Sequence, residues 1–179
     1  DDLARAHAAS PLPALAADLL RQWPPATPDV HLLDFDSGRV RLVLALGDIA
    51  DVLPELVASV DAFYLDGFAP DRNPAMWDPW RLRQLPRLAA PGATAATWSV
   101  AGVLRQGLAA AGFEVHKAPG QGGKREMTVA RFAPRFTARP PPGRQPQPGV
   151  QRVAVVGAGL AGAATAAALA ARGIAVDVI

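Results

Sequence analysis

A single carboxylate among aromatic side chains is the first feature of this sequence that could do chemistry. Residues 61–70 read DAFYLDGFAP, an apolar run that ends in Asp66 and Gly67, and Trp77 and Trp80 follow shortly after it. Aromatic faces beside a carboxylate suit a planar or cationic guest. The alternative is a structural turn, in which Asp66 caps the next backbone segment and Gly67 supplies the bend.

A glycine pattern near the other end of the sequence is typical of a dinucleotide site. VAVVGAGLAGAATAAALAARGIAV predicts a strand, a tight turn, an alanine-rich helix and a second strand. Gly157 permits the turn, Gly159 lets a pyrophosphate approach the backbone, and Gly162 lets the helix pack on the strand. Amides at the helix N-terminus then bind the phosphates. The pattern indicates a dinucleotide but does not separate FAD from NAD.

The same stretch has a competing interpretation as a membrane helix. Residues 153–171 are nineteen uncharged positions, which is long enough for a helix that spans a membrane. Alanine and glycine dominate the stretch, and leucine, which drives membrane insertion, is scarce. We therefore expect no membrane span here.

Basic residues are concentrated in the second part of the chain. Residues 1–100 carry 8 basic and 13 acidic side chains, whereas residues 101–179 carry 10 and 3, which gives net charges of −5 and +7. Within the basic part, Lys124 and Arg125 follow a glycine-rich turn, where close backbone approach and positive charge suit RNA phosphates. The alternative for Lys124 and Arg125 is a solvated hairpin tip. The alternative for the basic span that follows them is an arginine-rich linker kept soluble by its charge.

Metal and thiol chemistry find no support in the composition. The sequence has no cysteine, and its three histidines are far apart. This excludes disulfide scaffolds and thiol catalysis, and it leaves no zinc-ligand spacing. We expect no metal site.

The elements that must position these residues alternate between strand and helix. A hairpin is predicted around Asp36-Ser37-Gly38, and a helix is predicted from Ile49 towards Val60, with Pro54 in its first turn or at a kink. A second helix begins at Asp78-Pro79 and runs to about Leu88, and Pro91-Gly92 is expected to break that element. A strand is then predicted over 93–98, and a third helix covers 101–111 between a Ser99 cap and a stop at Gly112. Two strands, which we expect to be antiparallel, close the region. The alternation predicts a mostly parallel α/β sheet with helices on both faces and ligands at the carboxyl ends of its strands.

A proline-rich stretch divides the sequence. Residues 134–149 hold six prolines in sixteen positions and can form neither a helix nor a central strand. We therefore predict three parts: a domain over residues 1–133, a Pro/Arg-rich linker over 134–150, and the start of a dinucleotide-binding domain over 151–179.

Several motifs in order give the chain a family resemblance. DAFYLDGFAPDRNPAMW, then LPRLAAPGATAATWSVAGVLRQGLAAAGF, then GGKREM resemble the methyltransferase half of the bifunctional tRNA 5-methylaminomethyl-2-thiouridine biosynthesis family. The dinucleotide pattern after the linker resembles the start of that family's second half, an FAD-dependent oxidoreductase. The resemblance implies a partial class I, Rossmann-like methyltransferase sheet followed by the first β-α-β of a Rossmann-type FAD-binding domain.

The resemblance also implies roles for individual residues. Asp48 corresponds to a position beside the adenine of S-adenosylmethionine, although it can equally serve as the N-cap of the following helix. Asp66 is implied to orient the substrate amine and receive its proton, and Lys124 and Arg125 to contact a tRNA anticodon loop. The implied substrate pocket is formed by Tyr64, Gly67, Phe68, Pro70 and Trp77.

The family's activity would then be a two-step modification of a tRNA wobble uridine in the cytoplasm. The flavin half removes a carboxymethyl group oxidatively, and the methyltransferase half methylates the amine that remains. Because the chain opens on Asp1 and stops at Ile179 within an apolar run, we expect it to be an excerpt that is inactive alone. Two alternatives stay open: a flavin- or NAD-dependent amine oxidoreductase with a non-catalytic N-terminal appendage, and an RNA-binding module without catalysis.

Overall fold

The computed structural model of the protein describes residues 2–69, 71–120, 122–135, 149 and 151–179. Contacts divide the chain into two units, one formed by Asp1–Leu56 with Val60–Arg135 and the other by Val57–Ser59 with Phe136–Ile179. Most of the expected linker over 134–150 lies outside the described residues. The boundaries 1–133, 134–150 and 151–179 therefore stay predictions.

The first unit begins with two helices and a hairpin. Helices α1 (Asp2–His7) and α2 (Pro13–Gln22) precede strands β1 (Asp29–Phe35) and β2 (Val40–Leu46), which pair antiparallel. The predicted turn Asp36-Ser37-Gly38 joins the strands, and all three residues have positive φ, which Gly38 adopts without strain. Gln22 Nε2 donates to the Asp34 carbonyl across 3.0 Å and so ties α2 to the hairpin.

The next helix is shorter than its apolar spacing suggested. Helix α3 covers Ile49–Glu55, with Pro54 in its last turn rather than its first, and Val60 already belongs to a strand. A distant arginine explains the early end: Arg87 Nη1 and Nη2 donate to the carbonyls of Leu56 and Leu53, each across 2.6 Å. Because this tertiary bond satisfies carbonyls at the helix end, the chain can leave the helix there.

The main sheet is mixed, and the expectation of a mostly parallel sheet is wrong for the described residues. Strands β3 (Val60–Tyr64), β4 (Ala89–Thr97), β5 (Phe113–Pro119) and β6 (Glu126–Phe132) lie in the order β3-β4-β6-β5. Only β3 and β4 are parallel, and β6 pairs antiparallel with both β4 and β5. The last strand, β6, lies between β4 and β5, and the short turn from β5 makes it run antiparallel to that strand. The α/β class and the antiparallel last pair agree with the sequence.

Proline shapes the segment between β3 and β4. The predicted helix from Asp78 to about Leu88 is two helices, α4 (Pro79–Leu82) and α5 (Leu85–Leu88), because Pro86 has no N–H to continue the first one. Pro91-Gly92 does not end the preceding element as expected but lies inside β4, where the pairing with β3 shifts register and Gly92 has a φ of +76°. The strand therefore begins earlier than the sequence suggested.

Helix α6 (Gly102–Ala110) covers the sheet and supplies its core. Its Leu104 and Leu108 are 0% and 1% exposed, and Phe63 and Phe113 meet edge-to-face with ring centroids 6.1 Å apart. Gly112 ends the helix with a φ of +89°, as predicted. The expected Ser99 cap is wrong, because Ala101 is the N-cap residue and the Ser99 hydroxyl accepts from the Ala101 N–H in the turn before it.

The second unit contains a β-α-β arrangement. Strands β7 (Arg152–Val155) and β8 (Ala175–Val178) are parallel and are joined through helix α7 (Leu160–Ala170). Arg152 donates from Nε and Nη2 to both carboxylate oxygens of Asp177 across 2.7 and 2.8 Å, which lowers the pKa of Asp177. Within the described ranges, no helix has the length and apolar character that crossing a bilayer requires.

Candidate functional site

Asp66 lies where the two parallel strands of the main sheet end. The Leu65 N–H donates to the Ala96 carbonyl across 2.9 Å, and Tyr64 pairs with Ala96, so the chain is still beside β4 when it reaches Asp66. The carboxyl ends of parallel strands meet at one edge of a sheet, where ligands of such folds bind. The structure therefore places the predicted carboxylate at this edge.

Gly67 brings a second segment close to that carboxylate. A Cβ on Gly67 would overlap the sulfur of Met76 and lie 3.2 Å from Trp77 Cζ2. Both neighbours belong to a 3₁₀ turn, Pro74–Trp77, which Asn73 caps by accepting from the Met76 N–H. Only glycine allows this packing without a shift, so the turn after β3 and the 3₁₀ turn form two walls of one pocket.

The pocket has a volume of about 160 Å³ and brings together four of the predicted residues. An apolar floor comes from Ile49 of α3 and from leucines of α3, α4, α5 and the end of β3. The side chains that matter chemically are Tyr64, Asp66, Gly67, Met76, Trp77 and Arg81.

Two predicted pocket residues are not part of this lining. The side chain of Phe68 is 75% exposed, and only its backbone carbonyl takes part, by accepting a hydrogen bond from the Trp77 indole. Tyr64 does line the pocket, although its side chain is 83% exposed. Pro70 lies outside the described residues. The aromatic side chains therefore differ in kind: Trp77 is 5% exposed and packed, while Tyr64 and Phe68 extend into solvent.

Asp48 lies at the start of α3, next to the pocket residue Ile49. Its Oδ1 accepts from the Ala50 N–H across 2.7 Å, which is the N-cap interaction considered from the sequence. The second oxygen, Oδ2, has no partner among the described residues, and the side chain is exposed. The cap and a ligand contact are therefore compatible.

Lys124 and Arg125 lie at the same edge of the sheet as Asp66. They precede β6, and because β6 runs antiparallel to β4, its first residues lie beside the carboxyl end of β4. Both side chains are exposed, and the Gly120 N–H donates to the Arg125 carbonyl across 3.1 Å to close the turn. The loop thus presents two cations at the edge of the sheet where Asp66 lies.

The three glycines of the predicted dinucleotide turn differ in what surrounds them. Gly157 has a φ of +101°, and a Cβ on Gly162 would collide with the Gly157 carbonyl oxygen, so both are required by the backbone itself. Gly159 caps α7, and a Cβ there would meet nothing within 4 Å. The space above Gly159 is therefore open to a ligand, as a phosphate-binding turn requires.

The sequence reasoning missed Arg81 and Met76. Arg81 lies on α4 and lines the pocket, and its Nε is buried without a hydrogen bond. The sequence did hold a signal for Arg81. It is the third residue of a helix capped by Asp78 and lies four residues, about one turn, after Trp77, so the two side chains can face the same pocket. Among the described residues, no group of three or more His, Cys, Asp or Glu side chains could hold a metal ion.

A larger depression of about 380 Å³ lies on the face of the main sheet. Its lining is mostly apolar and comes from β3, β4, β5 and β6, with His116 and Arg131 as the ionisable groups. No carboxylate lines it, and none of the predicted site residues except Tyr64 reaches it. The smaller pocket at the strand ends is therefore the better candidate.

Comparison with known proteins finds relatives that match nearly the whole chain. A protein of Methylibium petroleiphilum named tRNA 5-methylaminomethyl-2-thiouridine biosynthesis bifunctional protein MnmC is 60% identical over 97% of this chain and 27% of its own length. The protein of the same name from Aromatoleum aromaticum is 49% identical over 100% of this chain and 28% of its own. The chain thus spans about a quarter of the length of these curated relatives.

A solved structure and a family profile also match the chain. The crystal structure of MNMC2 from Aquifex aeolicus shares the fold with a TM-score of 0.57 and 24% identity, over 71% of this chain and 40% of that one. Residues 10–133 match the family described as S-adenosyl-L-methionine-dependent methyltransferase. By that match, which covers most of the sequence, the chain belongs to the S-adenosyl-L-methionine-dependent methyltransferase family.

Proposed function

We propose that this chain carries the later part of a methyltransferase domain that acts on the wobble uridine of tRNA. The observation that carries the proposal is the position of Asp66, at the carboxyl edge of the β3–β4 pair and in one pocket with Trp77. The family match supports methyl transfer, and the names of the relatives support 5-aminomethyl-2-thiouridine as the acceptor. A tRNA substrate implies a cytoplasmic location.

S-adenosylmethionine would supply an activated methyl group when bound. Asp48 can bind the adenine of this cofactor. Its Oδ1 caps α3 by accepting from the Ala50 N–H, whereas Oδ2 has no partner among the described residues and can accept a hydrogen bond from the adenine amine. The neighbouring Ile49 connects that position to the pocket. Asp48 would thus cap α3 with one carboxylate oxygen and bind the cofactor with the other.

Asp66 acts on the acceptor amine. A carboxylate at hydrogen-bond distance orients the neutral amine for in-line attack and takes the proton that the amine loses once its nitrogen is methylated. Trp77 forms a fixed wall, and the exposed rings of Tyr64 and Phe68 can stack on the uridine, as aromatic side chains do with unstacked RNA bases. Gly67 keeps the wall close, and Pro70 belongs to the same proposed loop.

The basic turn at the pocket's edge would hold the RNA. Lys124 and Arg125 are exposed at the edge where Asp66 lies, so phosphates of an anticodon loop could bind them while its wobble base enters the pocket.

The second unit is proposed to begin an FAD-binding oxidoreductase domain. The β-α-β arrangement, the open space at Gly159 and the tight packing at Gly162 support a dinucleotide site, and the bifunctional names of the relatives support FAD as its ligand. In this proposal residues 1–133 belong to the methyltransferase, 134–150 form the linker, and 151–179 start the flavin domain. The flavin half removes the carboxymethyl group oxidatively and leaves the amine that Asp66 positions.

Substitution of Asp66 tests the proposal in the full-length protein. Asp66→Asn keeps the shape of the side chain but cannot accept a proton, so single-turnover methylation of aminomethyl-uridine tRNA should fall by about 100-fold or more. Affinities for S-adenosylmethionine and tRNA should change little. Asp71→Asn, the same change five residues further along the loop, is the matched control and should keep the rate. An Asp66→Asn protein as fast as the unaltered one would leave Asp66 as a turn residue only.

A further inference from the structure

One cation in the candidate pocket has no side-chain partner among the residues that the structure describes. Arg81 lines the pocket together with Asp66 and Trp77, and its Nε is buried without a hydrogen bond. No hydrogen bond or ion pair joins its side chain to any described residue. Buried polar atoms in folded proteins are nearly always satisfied, so an exception calls for a physical reason such as a ligand.

The position of Arg81 is fixed by the elements around it. Asp78 accepts from the Trp80 N–H across 2.7 Å and so caps α4 just before Arg81. On the next residue, the Leu82 side chain is 3% exposed and packs against Gly107 of α6, where a Cβ would lie 2.5 Å from Leu82 Cδ1. Because α4 is anchored on both sides of Arg81, the pocket keeps its cation without help from a mobile loop.

Arg87 shows what a purely structural arginine looks like in this unit. Its Nε is also buried and without a hydrogen bond, but Nη1 and Nη2 donate to the carbonyls of Leu56 and Leu53. Those bonds explain why the side chain is there. Among the described residues Arg81 has no equivalent bond, and the pocket that it lines is where a ligand could reach it.

The pocket therefore contains a carboxylate and a guanidinium that are not paired with each other. The proposed function assigns the acceptor amine to Asp66, and the planar fork of Arg81 can hold a carboxylate. The volume of about 160 Å³ is below the roughly 300–1,000 Å³ of pockets that enclose a whole drug-sized ligand, so the guest is a small group of a larger molecule. We infer that the pocket binds the carboxylate of an α-amino-acid group at Arg81, while Asp66 keeps the nitrogen of the uridine side chain.

This inference rests on the proposed function, which offers two sources of that chemistry. One is the methionine tail of S-adenosylmethionine. The other is the carboxymethylaminomethyl group of the unprocessed uridine, which is a glycine attached through its nitrogen. In the second case the methyltransferase half would also recognise the substrate of the flavin half.

The first arm of the test concerns the cofactor. Calorimetry on the full-length protein compares S-adenosylhomocysteine, which has the amino-acid tail, with 5′-methylthioadenosine, which lacks it. If the tail is the guest, Arg81→Met should weaken the first ligand about tenfold or more and leave the second unchanged, because a charge-assisted pair is lost.

The second arm concerns the RNA. Two anticodon stem-loops are compared, one with carboxymethylaminomethyl-uridine and one with aminomethyl-uridine at the wobble position. If the uridine side chain is the guest, Arg81→Met should weaken only the first by a similar factor. Arg83→Met, which removes an exposed charge two residues away, is the matched control in both arms.

A selective loss in either arm, with partial recovery in Arg81→Lys, supports the inference. Unchanged affinity for all four ligands overturns it, and so does an equal loss for all four, which would mean that Arg81 only maintains the pocket's shape. Methylation of the aminomethyl stem-loop is measured separately. A failure of the proposed function would appear there as absent methyl transfer, whereas a failure of this inference appears in the four affinities.

Discussion

The indole Nε1–H of Trp77 donates to the backbone carbonyl of Phe68 across 2.6 Å. This bond spans nine residues and joins the loop after Asp66 to the 3₁₀ turn that walls the pocket. Trp77 is 5% exposed, so the bond is shielded from competing water. The tryptophan therefore sets the path of the loop as well as forming a wall.

Trp77→Phe should loosen that loop while keeping most of the packing. Losing one shielded hydrogen bond and leaving the Phe68 carbonyl without its donor costs about 1–3 kcal/mol, so the amides of residues 66–69 should exchange about tenfold faster or more. Hydrogen-exchange mass spectrometry measures this. Trp23→Phe, at a half-exposed tryptophan between α2 and β1, is the control. Equal exchange in Trp77→Phe and the unaltered protein would contradict the role given to the indole.

Gly67→Ala should change the pocket more than the fold. The new methyl group would overlap the Met76 sulfur, and since methionine is flexible, that side chain can turn away, at the cost of the pocket's shape. We expect a several-fold rise in KM for tRNA, with the melting temperature lowered only slightly. Gly102→Ala, where a Cβ meets nothing within 4 Å, should leave KM unchanged.

A double-mutant cycle locates the origin of that effect. If the overlap with Met76 is responsible, adding Met76→Ala to Gly67→Ala should cost less than the sum of the two single changes. Strict additivity would show that Gly67 acts through something other than Met76.

Lys124→Ala with Arg125→Ala should make tRNA binding weaker and less sensitive to salt. For two lost phosphate contacts, the slope of log affinity against log salt should flatten by about 1.4 to 1.8. Binding is measured at several salt concentrations, and single-turnover methylation by saturating enzyme should be largely preserved. Removal of Arg5 and Arg21, which are ion-paired within α1 and α2, deletes the same charge elsewhere and should leave the slope unchanged.

Gly159 and Gly162 should fail in different ways when substituted. Gly159→Val places a side chain in open space where a pyrophosphate would lie, so the full-length protein should fold but purify without flavin colour. Gly162→Ala collides with the backbone of Gly157 and should disrupt the β-α-β arrangement itself, which far-ultraviolet circular dichroism and protease sensitivity would reveal. Stoichiometric flavin in Gly159→Val would refute the assignment of this turn to the cofactor.

Sequence alone identified the features that depend on local chemistry. The Asp36-Ser37-Gly38 turn, the stop at Gly112 and the strand-turn-helix around Gly157 follow from backbone preferences of a few neighbouring residues. The early end of α3 depends on Arg87, more than thirty residues away, and the position of α4, which carries Arg81, depends on the packing of Leu82 against Gly107 of α6. Such relationships carry no local periodicity, so the sequence pattern did not contain them.

The insertion of β6 between β4 and β5 also has a consequence for biosynthesis. Among the described strands, β5 has β6 as its one neighbour in the sheet, so these strands cannot hold it by hydrogen bonds until residues 126–132 have left the ribosome. During translation, β5 must wait as an unpaired strand with one apolar side, which is the kind of species that aggregates or recruits chaperones. A ribosome that pauses just after Phe132 would give the sheet time to close before the next domain emerges, whereas a pause shortly before Glu126 would prolong the vulnerable state.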